Sequence, residues 1–549
     1  MALYYTAEHL KPTMSRDKAL SFLEIIVIVV LAIVPVFLTY PYRVNIFISW
    51  EGAYRMSKGD IPFKDFGIPM GYMFWAVPAF FFKIFGPQMI TLIKAQAFLN
   101  ILSGLSFRSI LRSFRISPVI SFVSVLYFIL TYSLVNFWPW YNHTVIVYEF
   151  VSLAFLMAYM LRGKKIVLLL LAAFFGFLSF FTKQDGGGLC LLMSLVLISY
   201  DAYITKDWKS LLIYILAYAA VAALFILPLS REGFSFWFNL GQPPHSSRVS
   251  LTDVFIGLIQ ESQALRLSII FIVLLGITLF IKDRAWFLQK DKMLFLLLVL
   301  GILAQATVLQ ETSYTPPDNN IYFMSFVFVW LLFALSQLLP LPWNGMGTLL
   351  FLTVAIFFMQ SGRYAGYVSN LLLSSKQQAG GIQKSEQGEN VVGRKNFLLY
   401  LKKNDIPVGE WVSSELDVFR QMKMPKPTAE GVTRIMAMDE VKKNDPKILN
   451  MTELTPLAAA IPYGFEKGTS YPLWHHLGVA MFNQQAEMYE KKIAEKYYDL
   501  VLFEYLPGLN NFFPFRVRDS LMVHYKKVDS FYAPRIGPES MGTVEVYRR

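Results

Sequence analysis

The sequence carries little charge for its length and has one cysteine, Cys190, so no intrachain disulfide can form. Charged residues make up 16% of the 549 residues, whereas a soluble protein has about 25%. We find no P-loop, zinc motif or ordered Ser-His-Asp set, and no nucleic-acid-binding motif accompanies the net charge of +12. These absences argue against a disulfide-stapled secreted domain, a soluble nucleotide-binding enzyme and a nucleic-acid-binding protein.

Apolar residues, in contrast, make up 55% of the chain, and the mean hydropathy is +0.45. Up to about residue 360, apolar runs recur at nearly the length that spans a bilayer. We therefore predict a polytopic α-helical membrane protein with about eleven transmembrane helices and a C-terminal soluble α/β domain. The predicted spans are 21–40, 87–107, 117–136, 144–161, 166–182, 187–205, 210–229, 267–282, 293–309, 321–340 and 345–360. The interrupted apolar stretch 70–85 favours a position along the membrane interface.

Three regions follow from these patterns. Residues 1–375 form the transmembrane domain, with a large first external loop at 41–69. A linker rich in Gly, Gln, Ser and Glu follows at 376–393, and the soluble domain occupies 394–549. Within it, we predict an amphipathic helix at 484–498 and a buried strand at 499–503. Further strand candidates are Val432–Met438, Leu521–Tyr525 and Thr543–Tyr547.

The distribution of lysine and arginine between the loops predicts how the chain is oriented in the membrane. Short loops rich in these residues, such as the one with Arg108, Arg112 and Arg115, lie on the same side as the basic N-terminus. Loops 137–143 and 310–320, on the other side, contain neither residue. The positive-inside rule therefore places the N-terminus in the cytoplasm, and the odd number of spans places the C-terminal domain outside it. We expect the membrane to be a bacterial inner membrane. The bilayer is the expected partner, and the basic residues of the external first loop suggest anionic ligands.

The first loop places three carboxylates, Glu51, Asp60 and Asp65, beside the apolar body. Carboxylates so close to hydrocarbon are costly unless they are paired or functional. Asp60 can equally cap a turn, and Asp65 can pair with Lys64 or an arginine. Glu51 directly follows an apolar run, which makes it the strongest candidate for a functional carboxylate.

The run Trp50-Glu51-Gly52-Ala53-Tyr54, with Gly59-Asp60-Ile61-Pro62-Phe63-Lys64-Asp65-Phe66 after it, resembles the first external loop of GT-C-type membrane glycosyltransferases. These include the aminoarabinose transferases and the protein O-mannosyltransferases. The family's acidic pair falls on Trp50 and Glu51, so its first acidic residue is Trp here. The resemblance implies that Glu51 is the catalytic base and that Asp65 orients it, the acceptor or a metal. No cofactor is certain, and a divalent cation is left open.

A second match is Phe180-Phe181-Thr182-Lys183-Gln184-Asp185-Gly186-Gly187-Gly188, which resembles the family's glycine-rich break between two spans. It implies a site for the donor phosphate at Lys183, with Gln184 and Arg55 assisting. The alternative is a lysine that extends toward water and pairs with Asp185. Tyr322, at the start of a late span, is a weaker match with either a donor-lining or an interfacial role. Asp60, Asp185, Tyr322, His245 and Arg248 complete the candidate substrate-lining residues.

The implied reaction is transfer of a sugar from a polyprenyl-phosphate carrier to an extracytoplasmic acceptor, which is a glycan, a lipid or a protein. Such a phosphate departs as a stable anion, so one well-placed base is sufficient. Three alternatives remain open: a transporter or flippase of lipid-linked glycans, a non-catalytic membrane assembly subunit, and an oligosaccharide ligase or polymerase that acts on lipid-pyrophosphate glycans. The first is less favoured because the chain has no pair of broken helices in an internal repeat.

Overall fold

The computed structural model of the chain describes residues 16–42, 46–132, 136–232, 251–260, 263–312, 322–372, 406, 408–469, 471–473, 482–506, 513–534 and 542–549. Apolar helices form a bundle, and a C-terminal region of helices and two small sheets follows it. The predicted linker 376–393 lies outside the described residues.

The bundle helices are α1 (Arg16–Ile33), α2 (Ile46–Ser57), α3 (Met73–Phe85), α4 (Met89–Ser113), α5 (Pro118–Thr131), α6 (Tyr141–Arg162), α7 (Ile166–Phe180), α8 (Gln184–Thr205), α9 (Lys209–Ile226), α10 (Leu251–Gln260), α11 (Gln263–Lys282), α12 (Arg284–Phe287), α13 (Lys290–Thr312), α14 (Tyr322–Leu338) and α15 (Met346–Leu372). Among the described residues, seven helices are long and apolar enough to cross a membrane: α1, α4, α6, α8, α9, α11 and α13. Shorter apolar helices are α3, α5, α7, α14 and the first part of α15. Every predicted span coincides with one of these helices, which confirms the polytopic helical class.

The C-terminal region contains β2 (Val412–Ser413), β3 (Met422–Met424), α16 (Lys426–Ala437), β4 (Ile448–Met451), α17 (Leu457–Ala460), α18 (Phe482–Ala494), β5 (Leu500–Tyr505), α19 (Phe515–His524), β6 (Lys526–Tyr532) and β7 (Thr543–Arg548). Its larger sheet has the strand order β4-β5-β7-β6, in which β4 and β5 are parallel and the other pairs antiparallel. The helix predicted within 484–498 and the strands predicted at 499–503 and Thr543–Tyr547 are confirmed.

Two predicted strands are wrong. Val432–Met438 lies largely in α16, and Leu521–Tyr525 lies largely in α19. In α16, Val432 and Ile435 are three residues apart and both are fully buried, which is the spacing of one helix face. The same face contains Gly431, where an added Cβ would lie 2.3 Å from the Phe531 ring, so the helix packs very closely on the sheet.

The first loop and the C-terminal region are joined by backbone pairing. A short strand, β1 (Tyr40–Pro41), pairs in parallel with β3. Further along the loop, Gly67 forms an isolated bridge with Pro472. The Tyr42 hydroxyl also donates to the Glu453 carbonyl at 2.6 Å. The C-terminal region therefore covers the end of the bundle that carries the first loop.

Candidate active site

The run that contains Glu51 forms the helix α2, which packs tightly against α3. An added Cβ on Gly52 would lie 2.0 Å from the Trp75 ring, so only glycine permits this approach. The Trp75 indole N–H donates to the Ile48 carbonyl at 2.8 Å. The Trp50 indole N–H donates to the Pro87 carbonyl at 2.9 Å. Together these contacts fix the rotation of α2 and thus the direction in which Glu51 points.

Glu51 is a nearly buried carboxylate, 8% exposed. Its nearest cationic partner is Arg55, one helical turn later, whose Nη1 lies 4.0 Å from Oε1. Burial raises the pKa of Glu51 to about 7, although Arg55 acts to lower it. A carboxylate with a pKa near 7 accepts a proton much more readily than an exposed one, and this is the property that a general base needs.

Arg55, predicted to assist at the donor phosphate, holds the first loop against the C-terminal region. Its Nε donates to Asp60 Oδ2 at 3.1 Å, and its Nη2 donates to the Asp65 carbonyl at 3.2 Å and the Glu466 carbonyl at 3.0 Å. The guanidinium also lies over the Phe66 ring, 4.4 Å from its centroid. With the side chain 3% exposed, Arg55 is a buried connector between two parts of the chain.

The other two carboxylates of the loop have local partners. Asp60 pairs with Arg55 and with Lys467 from the C-terminal region. Asp65 Oδ2 accepts a hydrogen bond from the Ile61 backbone N–H at 2.7 Å, which closes the turn. Both carboxylates therefore have structural partners, but in exchanged roles: Asp60, expected to cap a turn, forms the ion pairs, and Asp65, expected to form an ion pair, closes the turn. Asp65 as a helper of Glu51 stays a prediction.

A cavity between α2 and the C-terminal region, called the interface cavity below, contains Glu51 in its wall. Its full lining is Phe47, Glu51, Arg55, Ile448, Leu449, Asn450, Met451, Thr452, Thr455, Tyr463, Phe465, Glu466, Tyr471, Pro472, Leu473, Tyr489 and Phe513. Asn450 and Thr452 lie where the parallel strand β4 ends, an edge at which α/β folds commonly bind ligands. Thr455 Oγ1 is buried and has no hydrogen-bond partner among the described residues, so it is available to a bound polar group.

Lys183 lies at the junction between α7 and α8, as the glycine-rich break predicts. Its Nζ donates to Asp185 Oδ2 at 2.8 Å and lies 6.0 Å from the centroid of the Tyr141 ring. Gln184 Nε2 donates to the Pro69 carbonyl at 3.4 Å, which ties this junction to the first loop. An added Cβ on Gly187 would lie 2.1 Å from Phe180 Cα, so the break needs glycine there.

The structure thus groups the predicted residues into two clusters. Glu51 and Arg55, which line the interface cavity, form one with Asp60, which is bonded to Arg55. Lys183, Gln184 and Asp185 form another at the α7–α8 junction and do not line that cavity. The start of α3 connects the two, because the Met73 N–H donates to the Phe181 carbonyl at 3.3 Å.

Tyr322 is fully buried, and its hydroxyl donates to Gln305 Oε1 at 2.9 Å. His245 and Arg248 lie outside the described residues. In the part of the chain that the structure describes, no group of three or more His, Cys, Asp or Glu side chains is arranged to hold a metal ion.

Comparison with solved structures places this arrangement in a known fold. The crystal structure of apo ArnT from Cupriavidus metallidurans superimposes with a TM-score of 0.53 at 13% identity, covering 97% of this chain and 98% of ArnT. The structure of the same protein bound to undecaprenyl phosphate gives a TM-score of 0.51 at 12% identity, covering 96% and 98%. The chain has the GT-C glycosyltransferase fold. No protein-family model and no curated protein sequence matches it.

The structure brings to the site further candidate residues of this chain that were not identified from the sequence. The C-terminal region contributes Asn450, Thr455 and Glu466 to the interface cavity. No local pattern marks these residues, because only the packing of β4 and α17 on the first loop brings them near Glu51. Glu149 was also missed, although a lone carboxyl inside the apolar helix α6 is a signal that sequence alone provides.

Proposed function

We propose that this chain is a membrane glycosyltransferase that moves a sugar from a polyprenyl-phosphate carrier to an acceptor outside the cytoplasm. The observation that carries the proposal is the Glu51 carboxylate, which is 8% exposed, lies in the wall of the interface cavity and has its pKa raised by burial to about 7. The likeness to ArnT supports the proposal through the fold, and the undecaprenyl phosphate bound to that protein suggests the class of carrier.

In the proposed reaction, Glu51 accepts the proton of an acceptor hydroxyl. The hydroxyl oxygen then bonds to the anomeric carbon of the sugar, and the bond from that carbon to the carrier phosphate breaks. The electron pair stays on the phosphate oxygen, so the carrier departs as an anion and needs no proton. A cation beside that oxygen stabilises the charge that develops in the transition state.

We assign that cation to Lys183. The Lys183 side chain is 13% exposed and its ammonium group is paired with Asp185 in the structure, so an incoming phosphate would compete with this carboxylate. The phosphate then lies at the α7–α8 junction and the sugar extends past the start of α3 toward Glu51. Asp185 and Gln184 border this path, and Tyr322 is linked to the same junction through Gln305, which donates to the Gly186 carbonyl.

We place the interface cavity on the extracytoplasmic side of a bacterial inner membrane, because the basic short loops lie at the other side of the predicted topology. Nucleotide sugars stay in the cytoplasm, whereas a lipid-linked sugar can be presented on that side from the bilayer. The acceptor then enters between α2 and the C-terminal region, where Asn450, Thr452 and Thr455 offer polar atoms.

The test is a transfer assay with purified full-length protein, a panel of radiolabelled polyprenyl-phosphate sugars and native membrane extract. Transfer by the wild type that is lost in Glu51→Gln, with folding retained, supports the proposal. Glu430→Gln is the matched control, since that carboxylate is exposed and pairs only at 3.8 Å with Lys426. Retained transfer in Glu51→Gln removes this residue from the chemistry, and movement of the labelled carrier without transfer favours a flippase.

A further inference from the structure

A carboxyl group inside the bundle has no part in the proposed chemistry. Glu149 lies on α6 and is fully buried. Ionisable side chains are rare inside membrane-spanning helices and usually serve a task there. The contacts of the Glu149 carboxyl therefore indicate its role.

Its partners form a hydrogen-bonded chain across the bundle. Gln305 Nε2, on α13, donates to Glu149 Oε2 at 2.5 Å and to the Gly186 carbonyl of α8 at 3.3 Å. Gln305 Oε1 accepts from the Tyr322 hydroxyl of α14 at 2.9 Å. Both amide hydrogens and the carbonyl oxygen of Gln305 are thus used, so the amide has one orientation that satisfies all its partners.

This chain ends at the first turn of α8, directly beside Lys183. Gly186 is three residues beyond Lys183. Its backbone N–H donates to Asp185 Oδ1 at 2.7 Å, which ties the first turn of α8 to the partner of Lys183. An added Cβ on Gly186 would lie 2.9 Å from a Val145 methyl group, so α8 begins in close contact with α6. A change at Glu149 is therefore transmitted to the segment that carries Lys183 and Asp185.

We infer that Glu149 is a positioning residue: through Gln305 it fixes the start of α8 and so presents the Lys183 ammonium to the phosphate of the lipid carrier. The inference rests on the proposed function for the role of Lys183, but the link from Glu149 to α8 does not. Glu149 does not touch the carrier in this arrangement. One of its oxygens, Oε1, has no partner among the described residues, so the amide of glutamine can replace the carboxyl without loss of the Gln305 contact.

The first experiment measures hydrogen–deuterium exchange of the full-length protein in nanodiscs, in peptides that cover residues 181–189. Glu149→Met and Gln305→Met each remove the contact while retaining side-chain bulk, and both should speed exchange in this segment, since the start of α8 loses a tether. Glu149→Gln should exchange like the wild type. Tyr159→Phe is the matched control, because it removes a 2.6 Å hydrogen bond between Tyr159 of α6 and Ser210 of α9 and leaves the Gln305 contact with α8 intact.

The second experiment measures binding of undecaprenyl phosphate to the same variants, with undecaprenol as the phosphate-free probe. Glu149→Met should weaken binding of the phosphate by about tenfold, within the coupling range of residues that share a hydrogen-bond network. Binding of undecaprenol should not change. The double variant with Lys183→Ala should bind no more weakly than Lys183→Ala alone, because Glu149 acts through Lys183.

Unchanged exchange at 181–189 in both Met variants overturns the inference, and so do fully additive losses in the double variant. A third outcome separates the two proposals: faster exchange in the Met variants, but binding of undecaprenyl phosphate by Lys183→Ala that equals that of the wild type. That result supports the tether from Glu149 to α8 and overturns the proposed phosphate site at Lys183.

Discussion

Replacement of Glu51 by glutamine should abolish sugar transfer and, at the same time, stabilise the folded chain above neutral pH. The carboxyl is 8% exposed, and burial raises its pKa to about 7 from an ordinary value of 4.5, against the opposing effect of Arg55. Above pH 7 the folded chain must therefore contain a poorly hydrated charge. Glutamine has nearly the same shape and carries no charge to bury.

The size and sign of the effect follow from the two pKa values. Between pH 4.5 and about 7 the folded chain holds a proton that the unfolded chain has lost. Since the unfolded state binds fewer protons, the free energy of unfolding falls as pH rises through this window. At about 1.36 kcal/mol per pH unit, the difference between the two pKa values corresponds to about 3 kcal/mol. Glu51→Gln should recover up to this amount at pH 8 and little at pH 4.5.

The assay is the melting temperature of the purified protein in detergent at pH 5 and pH 8, paired with the transfer assay. The wild type should lose activity as pH falls through about 7, because Glu51 then becomes protonated. A carboxylate that only stabilises the loop would behave in the opposite way, and its replacement would lower the melting temperature at pH 8. That lowering, or retained transfer in the variant, would refute the reasoning.

Two further predictions concern the stability of α2 and of the C-terminal region. Gly52→Ala should lower the free energy of unfolding by about 1–3 kcal/mol or more, because its Cβ would lie 2.0 Å from the Trp75 ring. Gly347→Ala is the control: this position of α15 has open space around the added Cβ, so the melting temperature should stay the same or rise. In the C-terminal region, burial alone would raise the pKa of Glu545, but hydrogen bonds led by that from Arg518 hold it at about 2. The stabilisation from this pair is present above pH 4.5 and lost as pH falls toward 2. Circular dichroism melting should therefore show Arg518→Ala less stable than the wild type at pH 7, with the difference shrinking toward pH 2.

The membrane bundle could be predicted from the sequence because one physical quantity fixes it. The thickness of the hydrocarbon sets the length of an apolar helix, so runs such as 187–205 identify their helices directly. The short pieces of the C-terminal region lack such a constraint. In Val432–Met438, β-branched and apolar residues suggest a strand, but the packing of Gly431 against Phe531 decides in favour of a helix.

The candidate site was predictable only in part, for a related reason. Glu51 follows an apolar run in the sequence, and this order alone indicates a poorly hydrated carboxylate. The partners of Arg55 could not be found in this way, because Glu466 is 411 positions away along the chain. Contacts of this kind depend on the docking of the C-terminal region, which no local pattern encodes.

Docking of the C-terminal region also determines how strong a base Glu51 is. Tyr463 and Phe465 of the C-terminal region form the wall of the cavity together with Glu51, and Arg55 ties that region to α2 through the Glu466 carbonyl. If this contact opened, water would reach Glu51 and its pKa would fall toward 4.5. The carboxylate would then be a weak base while the cavity is open and a strong one once it is closed. In the proposed transferase, an acceptor hydroxyl would be activated only after the C-terminal region has closed over it, which would limit loss of the carrier-linked sugar to water.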